Sequence, residues 1–95
     1  MYYEPNISDH VIPIGMLLEY PKSGLHSIWM VNMKFPLDIL WLDENKRIID
    51  VALNLQPAKS MFGAEEYMPQ RNARYILEIP TGILKTPPYK ISFET

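Results

Sequence analysis

No cysteine occurs anywhere in the 95 residues of the chain. That excludes disulfides, thiolate zinc sites and thiol nucleophiles in one step, and it fits a reducing compartment. A basic surplus is missing too: the formal net charge is −2 and the isoelectric point about 5.6, which gives no footprint for nucleic acid. The longest apolar stretches are strand-sized, far short of the roughly 18 residues of a membrane span. The first six residues, Met1 to Asn6, hold no basic segment leading into an apolar run, so no secretory signal is visible. These absences together predict a cytoplasmic protein with no nucleic-acid or membrane partner.

Nearly half of the residues are hydrophobic, 47%, enough to bury a core without covalent staples. A chain of this length supports one core, read as a single domain over residues 1–95, and hides roughly 60–70% of its unfolded surface on folding. Nine prolines and four glycines cut it into short segments, none long enough for a well-patterned helix. Gly15 to Tyr20 is an apolar run closed by the turn sequence Pro21-Lys22-Ser23-Gly24, and His26 to Met33 reads as a second strand. Asp38 to Asp43 and Arg47 to Leu55 read as a hairpin joined at Asp43-Glu44-Asn45-Lys46. In its second arm Ile49, Val51, Leu53 and Leu55 share one face, with Asp50, Ala52 and Asn54 on the other.

Residues 56–72 break the pattern with Pro57, Gly63 and Pro69, and the one helical turn expected in the chain lies at Met61 to Met68. Ala73 to Ile79 returns to strand, and Tyr89, Ile91 and Phe93 alternate in a last one. The fold class implied is α+β but mainly β: a small mixed or antiparallel sheet, barrel-like and partly closed, with little helix.

Four ordered segments carry a resemblance. Ile28-Trp29-Met30-Val31-Asn32-Met33 followed by Phe35-Pro36-Leu37-Asp38-Ile39 resembles the signature of DUF192, a family of domains of unknown function. Gly15-Met16-Leu17-Leu18 resembles the strand before that signature. Asp43 to Arg47 resembles its hairpin turn, and Ala73 to Glu78 its late strand before Gly82. The resemblance covers Gly15 to about Glu94. It implies a small mixed β-sheet or barrel-like domain, and it supplies no reaction.

Departures from the family pattern are informative. The family's opening strand and short helix have no counterpart here, since Met1-Tyr2 falls near the end of the motif that closes them. The late helix is shortened to residues 83–88. Lys46 stands at a turn position that is often glycine, at a cost of order 1 kcal/mol if its φ is positive. Ala58 stands where a cysteine is frequent. A sheet missing its opening strand leaves an edge that invites pairing, which makes a homodimer an expectation.

The polar residues of the matched motifs form the candidate ligand-binding set: Trp29, Asn32, Asp38, Arg74 and Glu78. Asp38 shares strand parity with Leu40 and Leu42, which points it toward a buried face where a carboxylate must be paired, hydrogen-bonded or protonated. In one reading these groups line a pocket, covered by the 56–72 loop with its Met61, Phe62, Tyr67 and Met68. In the other they are structural, with Asp38 capping a turn and Arg74 pinning strand register through a carboxylate. Asp38 and Glu78 could also serve as an acid–base pair in a hydrolase-like enzyme if they converged across a cleft.

No catalytic nucleophile motif, dinucleotide fingerprint or phosphate loop is present, and no cofactor is implied. His10 and His26 form no close metal-binding pair, and Met30 and Met33, facing opposite ways on a strand, serve better as core filler than as copper ligands. The leading expectation is a non-catalytic domain that binds a small molecule or a protein partner. Behind it stand the hydrolase-like enzyme and an assembly protein that dimerises through a strand edge.

Overall fold

A computed structural model describes residues 15–84 and two short outlying strands, β1 (Tyr2–Tyr3) and β8 (Ile91–Ser92), which pair antiparallel with each other. Between them run β2 (Met16–Gly24), β3 (Ile28–Trp29), β4 (Leu37–Leu42), β5 (Ile48–Leu55), β6 (Glu66–Tyr67) and β7 (Ala73–Pro80). Four of these form an antiparallel sheet in the order β2-β7-β4-β5, and β3 pairs with β6 in a separate two-stranded ribbon. The β-rich class is as expected. The sheet is open rather than barrel-like, because β2 and β5 end it on opposite sides without meeting.

The central strands explain the order. All six residues of β4, Leu37-Asp38-Ile39-Leu40-Trp41-Leu42, are buried, as a strand must be when it has neighbours on both edges and cover on both faces. Alternation sends Leu37, Ile39 and Trp41 to one side, where they pack with Met30, Leu55, Ala73 and Ile76. Leu40 and Leu42 go to the other side with Tyr75, Leu77 and Ile79. Trp41, nearly inaccessible, satisfies its indole N–H on the carbonyl of His26 at 2.9 Å.

Bulges reshape both sheet edges. In β2, Glu19 pairs with Tyr75 but Gly24 pairs with Ala73, so the strand continues through Pro21 rather than ending there. Proline is accepted because β2 is an edge strand and the bulge frees its position from the ladder. In β5, Ala52 pairs with Ile39 while Leu55 pairs with Leu37. One extra residue is absorbed there, and Asn54 takes a φ of 56°. The inserted residue switches the parity of the strand. Ala52 and Leu55 therefore pack in the first cluster, whereas Leu53 is exposed. The uninterrupted alternation expected for this arm is thus corrected by the bulge.

The hairpin turn is built as expected. The Asp43 carboxylate accepts the N–H groups of Asn45 at 2.8 Å and Arg47 at 2.9 Å, and Lys46 has a φ of 61°. Two other expectations change. The strand read over residues 26–33 contracts to Ile28–Trp29, because the chain turns at Asn32. Met30 and Met33 consequently both pack on the first cluster rather than facing apart. The helical turn expected at Met61 to Met68 is instead a single hydrogen-bonded turn at Met61–Ala64 followed by β6. Tyr89, Phe93, His10 and most of the shortened segment 83–88 lie outside the described residues.

Candidate functional site

The register of β4 against β7 decides how the candidate residues relate. Asp38 lies opposite Ile79, and Ile39 lies opposite Glu78. Residues directly opposite one another share a face, so Asp38 projects with Ile79 and Glu78 projects with Ile39. Those are the two different faces of the sheet. The acid–base pair of Asp38 and Glu78 is therefore not assembled.

Asp38, 5% exposed, is used within the fold. Its Oδ1 accepts the backbone N–H of Asn54 at 2.8 Å and the hydroxyl of Thr81 at 3.0 Å. The N–H of Asn54 belongs to the bulge of β5, and Thr81 begins the turn after β7, where its own N–H reaches the carbonyl of Pro36 at 3.1 Å. One carboxylate thus ties together the start of β4, the bulge of β5 and the end of β7. Arg74 is equally structural. Its Nε donates to the Tyr20 carbonyl inside the β2 bulge, and its guanidinium reaches Glu19 at 3.4 Å and Glu44 at 3.9 Å. Asn32 is exposed at the tip of the turn between Met30 and Met33, with a φ of 66°. Asparagine is among the few residues that tolerate this conformation.

Glu78 is partly buried between Met16 of β2 and Ile39 of β4. Burial pushes its carboxyl pKa above the ordinary value. Among the described residues its carboxylate has no hydrogen-bond or ion-pair partner.

Trp29 stands apart from this structural set. In the β3–β6 ribbon Ile28 pairs with Tyr67, and both pack inward on the first core cluster. Strand alternation then sends the next pair, Trp29 and Glu66, outward. Trp29 is 48% exposed. Beside it a shallow cleft of about 260 Å³ is lined by Ser27, Ile28, Trp29 and Glu66. Glu66 was not among the residues the sequence singled out. Nothing local marks it, since its partnership with Trp29 arises only when two distant segments meet.

The ribbon is anchored at several points. Ala58 donates its N–H to the carbonyl of Met30 at 2.9 Å, and Val31 and Ala58 form an isolated parallel bridge. Further on, Gln70 donates its N–H to Asp50 at 2.9 Å, and Pro69 is buried. The 56–72 loop thus lies along the first cluster with Tyr67 tucked in, while Met61, Phe62 and Met68 stay exposed.

The DUF192 family model, described as "Uncharacterized ACR", matches the chain over residues 9–90. The chain belongs to this family. It is similar to a UPF0127 protein of Thermococcus gammatolerans, with 33% identity over 76 residues, 80% of this chain and 41% of that protein. It is also similar to a UPF0127 protein of Thermococcus kodakarensis, with 35% identity over 60 residues, 63% of this chain and 34% of that protein. The matched segments span less than half the length of either relative. No solved structure matches the chain. The matched region includes Trp29, Asp38 and the β7 strand, so the DUF192 signature of this chain contains both the Asp38 clasp and the exposed tryptophan. Among the described residues, no helix is long and apolar enough to cross a membrane.

Proposed function

We propose that this DUF192 domain is a non-catalytic binding module whose site is the outer face of the β3–β6 ribbon. The observation that carries the reading is Trp29: a large aromatic side chain half in solvent, forming the wall of a cleft, on a ribbon whose opposite face is fixed to the core. Small-molecule sites combine an apolar or aromatic wall with a few placed polar groups, and Ser27 and Glu66 supply those groups here. The ligand is a small molecule or a side chain of a protein partner. Among the original candidates, Trp29 alone belongs to this site, while Asp38, Arg74 and Asn32 shape the frame that holds it.

The test is a screen of the isotope-labelled chain against a mixed set of small neutral, anionic and cationic fragments, followed by amide and indole chemical shifts. The expected result is that hits cluster on Ser27, Ile28, Trp29, Glu66 and Tyr67. Hits that gather elsewhere, or none from the whole set, would overturn the assignment.

A further inference from the structure

We infer that the cleft beside Trp29 selects an organic cation of the alkylammonium class, held between the indole face and the carboxylate of Glu66. The inference rests on the binding-module reading and adds the chemistry of the ligand.

Trp29 and Glu66 are direct cross-strand partners on the outward face of the ribbon, which places their Cβ atoms about 4.5–5.5 Å apart. A cation is attracted to an aromatic face within about 6 Å of the ring centre, and tryptophan is the best such face. A group seated over the indole at that spacing is also within reach of the neighbouring carboxylate. Both attractions act on the same charge. An anionic ligand would meet repulsion from Glu66, and a neutral one would leave the carboxylate without a gain.

Among the described residues, no cation is placed over the Trp29 ring. Among the described residues, the cations placed over aromatic rings, Lys46 and Arg74, sit over Tyr75 at 5.4 and 5.8 Å. Arg74 is further committed to Glu19 and Glu44. Glu66 is exposed and, among the described residues, has no ion pair and no hydrogen bond to its carboxylate. Glu65 adjoins it in sequence and is also exposed, adding negative potential at the same end of the ribbon. Ile28 and Ser27 complete the cleft, Ser27 adding one hydroxyl. The size and openness of the cleft suit a compact headgroup carried on a short chain.

Choline and 3,3-dimethylbutanol, its neutral isostere, separate charge from shape. Each is titrated into the labelled full chain in low salt while the two indole N–H resonances are followed. Choline is expected to shift the Trp29 indole and the amides of Ser27, Ile28 and Glu66, leaving the buried Trp41 indole unmoved. The isostere is expected to bind about tenfold more weakly. E66Q should weaken choline binding by a similar factor while leaving the isostere unaffected, and W29L should abolish the response to both. Equal affinity for the two probes, or choline binding unchanged in E66Q, would overturn the cation assignment while leaving a neutral-ligand site in place. No response to choline would overturn it as well, and the broader fragment screen then decides the binding-module reading separately. Glu66 and Trp29 are both exposed, so neither variant removes core packing.

Discussion

Replacing Asp38 with alanine removes the shared acceptor of the Asn54 N–H and the Thr81 hydroxyl. Hydrogen bonds to charged groups contribute about 1.5–3 kcal/mol each, and a buried donor left unpaired costs about 1–3 kcal/mol. Thr81 is exposed and recovers water, so most of the loss falls on the bulge of β5. The expected destabilisation is about 2–3 kcal/mol. For a domain of this size each kcal/mol lowers Tm by roughly 4–8 °C, so D38A should melt some 8–24 °C below the parent. D38N is the informative contrast. An amide oxygen keeps two acceptor lone pairs, so both donors retain their partner and only the charge assistance is lost. That variant should cost about 1 kcal/mol or less. Thermal and urea unfolding followed by circular dichroism measure both, and unchanged m-values would confirm that the same transition is compared. If D38N proved as damaging as D38A, the negative charge itself would matter and the clasp reasoning would fail. An unaffected D38A would refute it more directly.

Two further predictions concern the strand beside the clasp. A Cβ added at Gly15 would lie 2.2 Å from the carbonyl oxygen of Glu78, and backbone in a paired strand has little room to yield. G15A should therefore cost roughly 1–3 kcal/mol, with faster amide exchange in the β2–β7 pair, and an unchanged Tm would contradict the close approach. Glu78 has a pKa raised above its ordinary 4.5 by burial, so the folded chain holds this proton more tightly than the unfolded chain does. Its contribution is present below that ordinary value and is lost as pH rises through the raised folded value. E78Q removes the titration, so E78Q should gain stability relative to the parent as pH is brought from acid to neutral. A stability difference that stayed constant across that range would show that burial is not perturbing the carboxyl.

The sheet was legible where pattern and structure share a period. The hairpin at Asp43–Lys46, the strand at Ala73–Ile79 and the buried parity of Asp38 with Leu40 and Leu42 all follow from local alternation and turn chemistry. What failed to show locally was insertion. Tyr20 to Ser23 and the extra residue before Leu55 are bulges, and a bulge has no sequence period of its own. It shifts every later side chain to the opposite face, which is why Ala52 and Leu55, three positions apart, both pack on the first cluster. Arg74 was legible as a register pin, since a strand arginine among apolar neighbours needs an acceptor. Its principal acceptor, the Tyr20 carbonyl, exists only because the β2 bulge presents it. Glu66 was illegible for a different reason. Its meaning comes from lying opposite Trp29, 37 positions earlier in the chain.

The same register argument separates frame from site. A residue that ties three segments together cannot readily exchange its partners for a ligand, because each hydrogen bond given up loosens the strand that supplied it. Asp38 and Arg74 are in that position, and Asp50 ties two segments, its carboxylate oxygens accepting the N–H groups of Val51 in β5 and Gln70 in the 56–72 loop at 2.9 Å each. That arrangement occupies a donor of the β5 edge and draws the 56–72 loop against it, while Pro21 and Lys22 interrupt the β2 edge. Such features discourage a neighbouring strand from pairing at these positions. Trp29 and Glu66 are a pair whose backbone is fixed from behind while their side chains, among the described residues, remain uncommitted in front. A ribbon held to the core and presenting such groups fits the proposed binding role, because little ordering cost would remain when a ligand arrives.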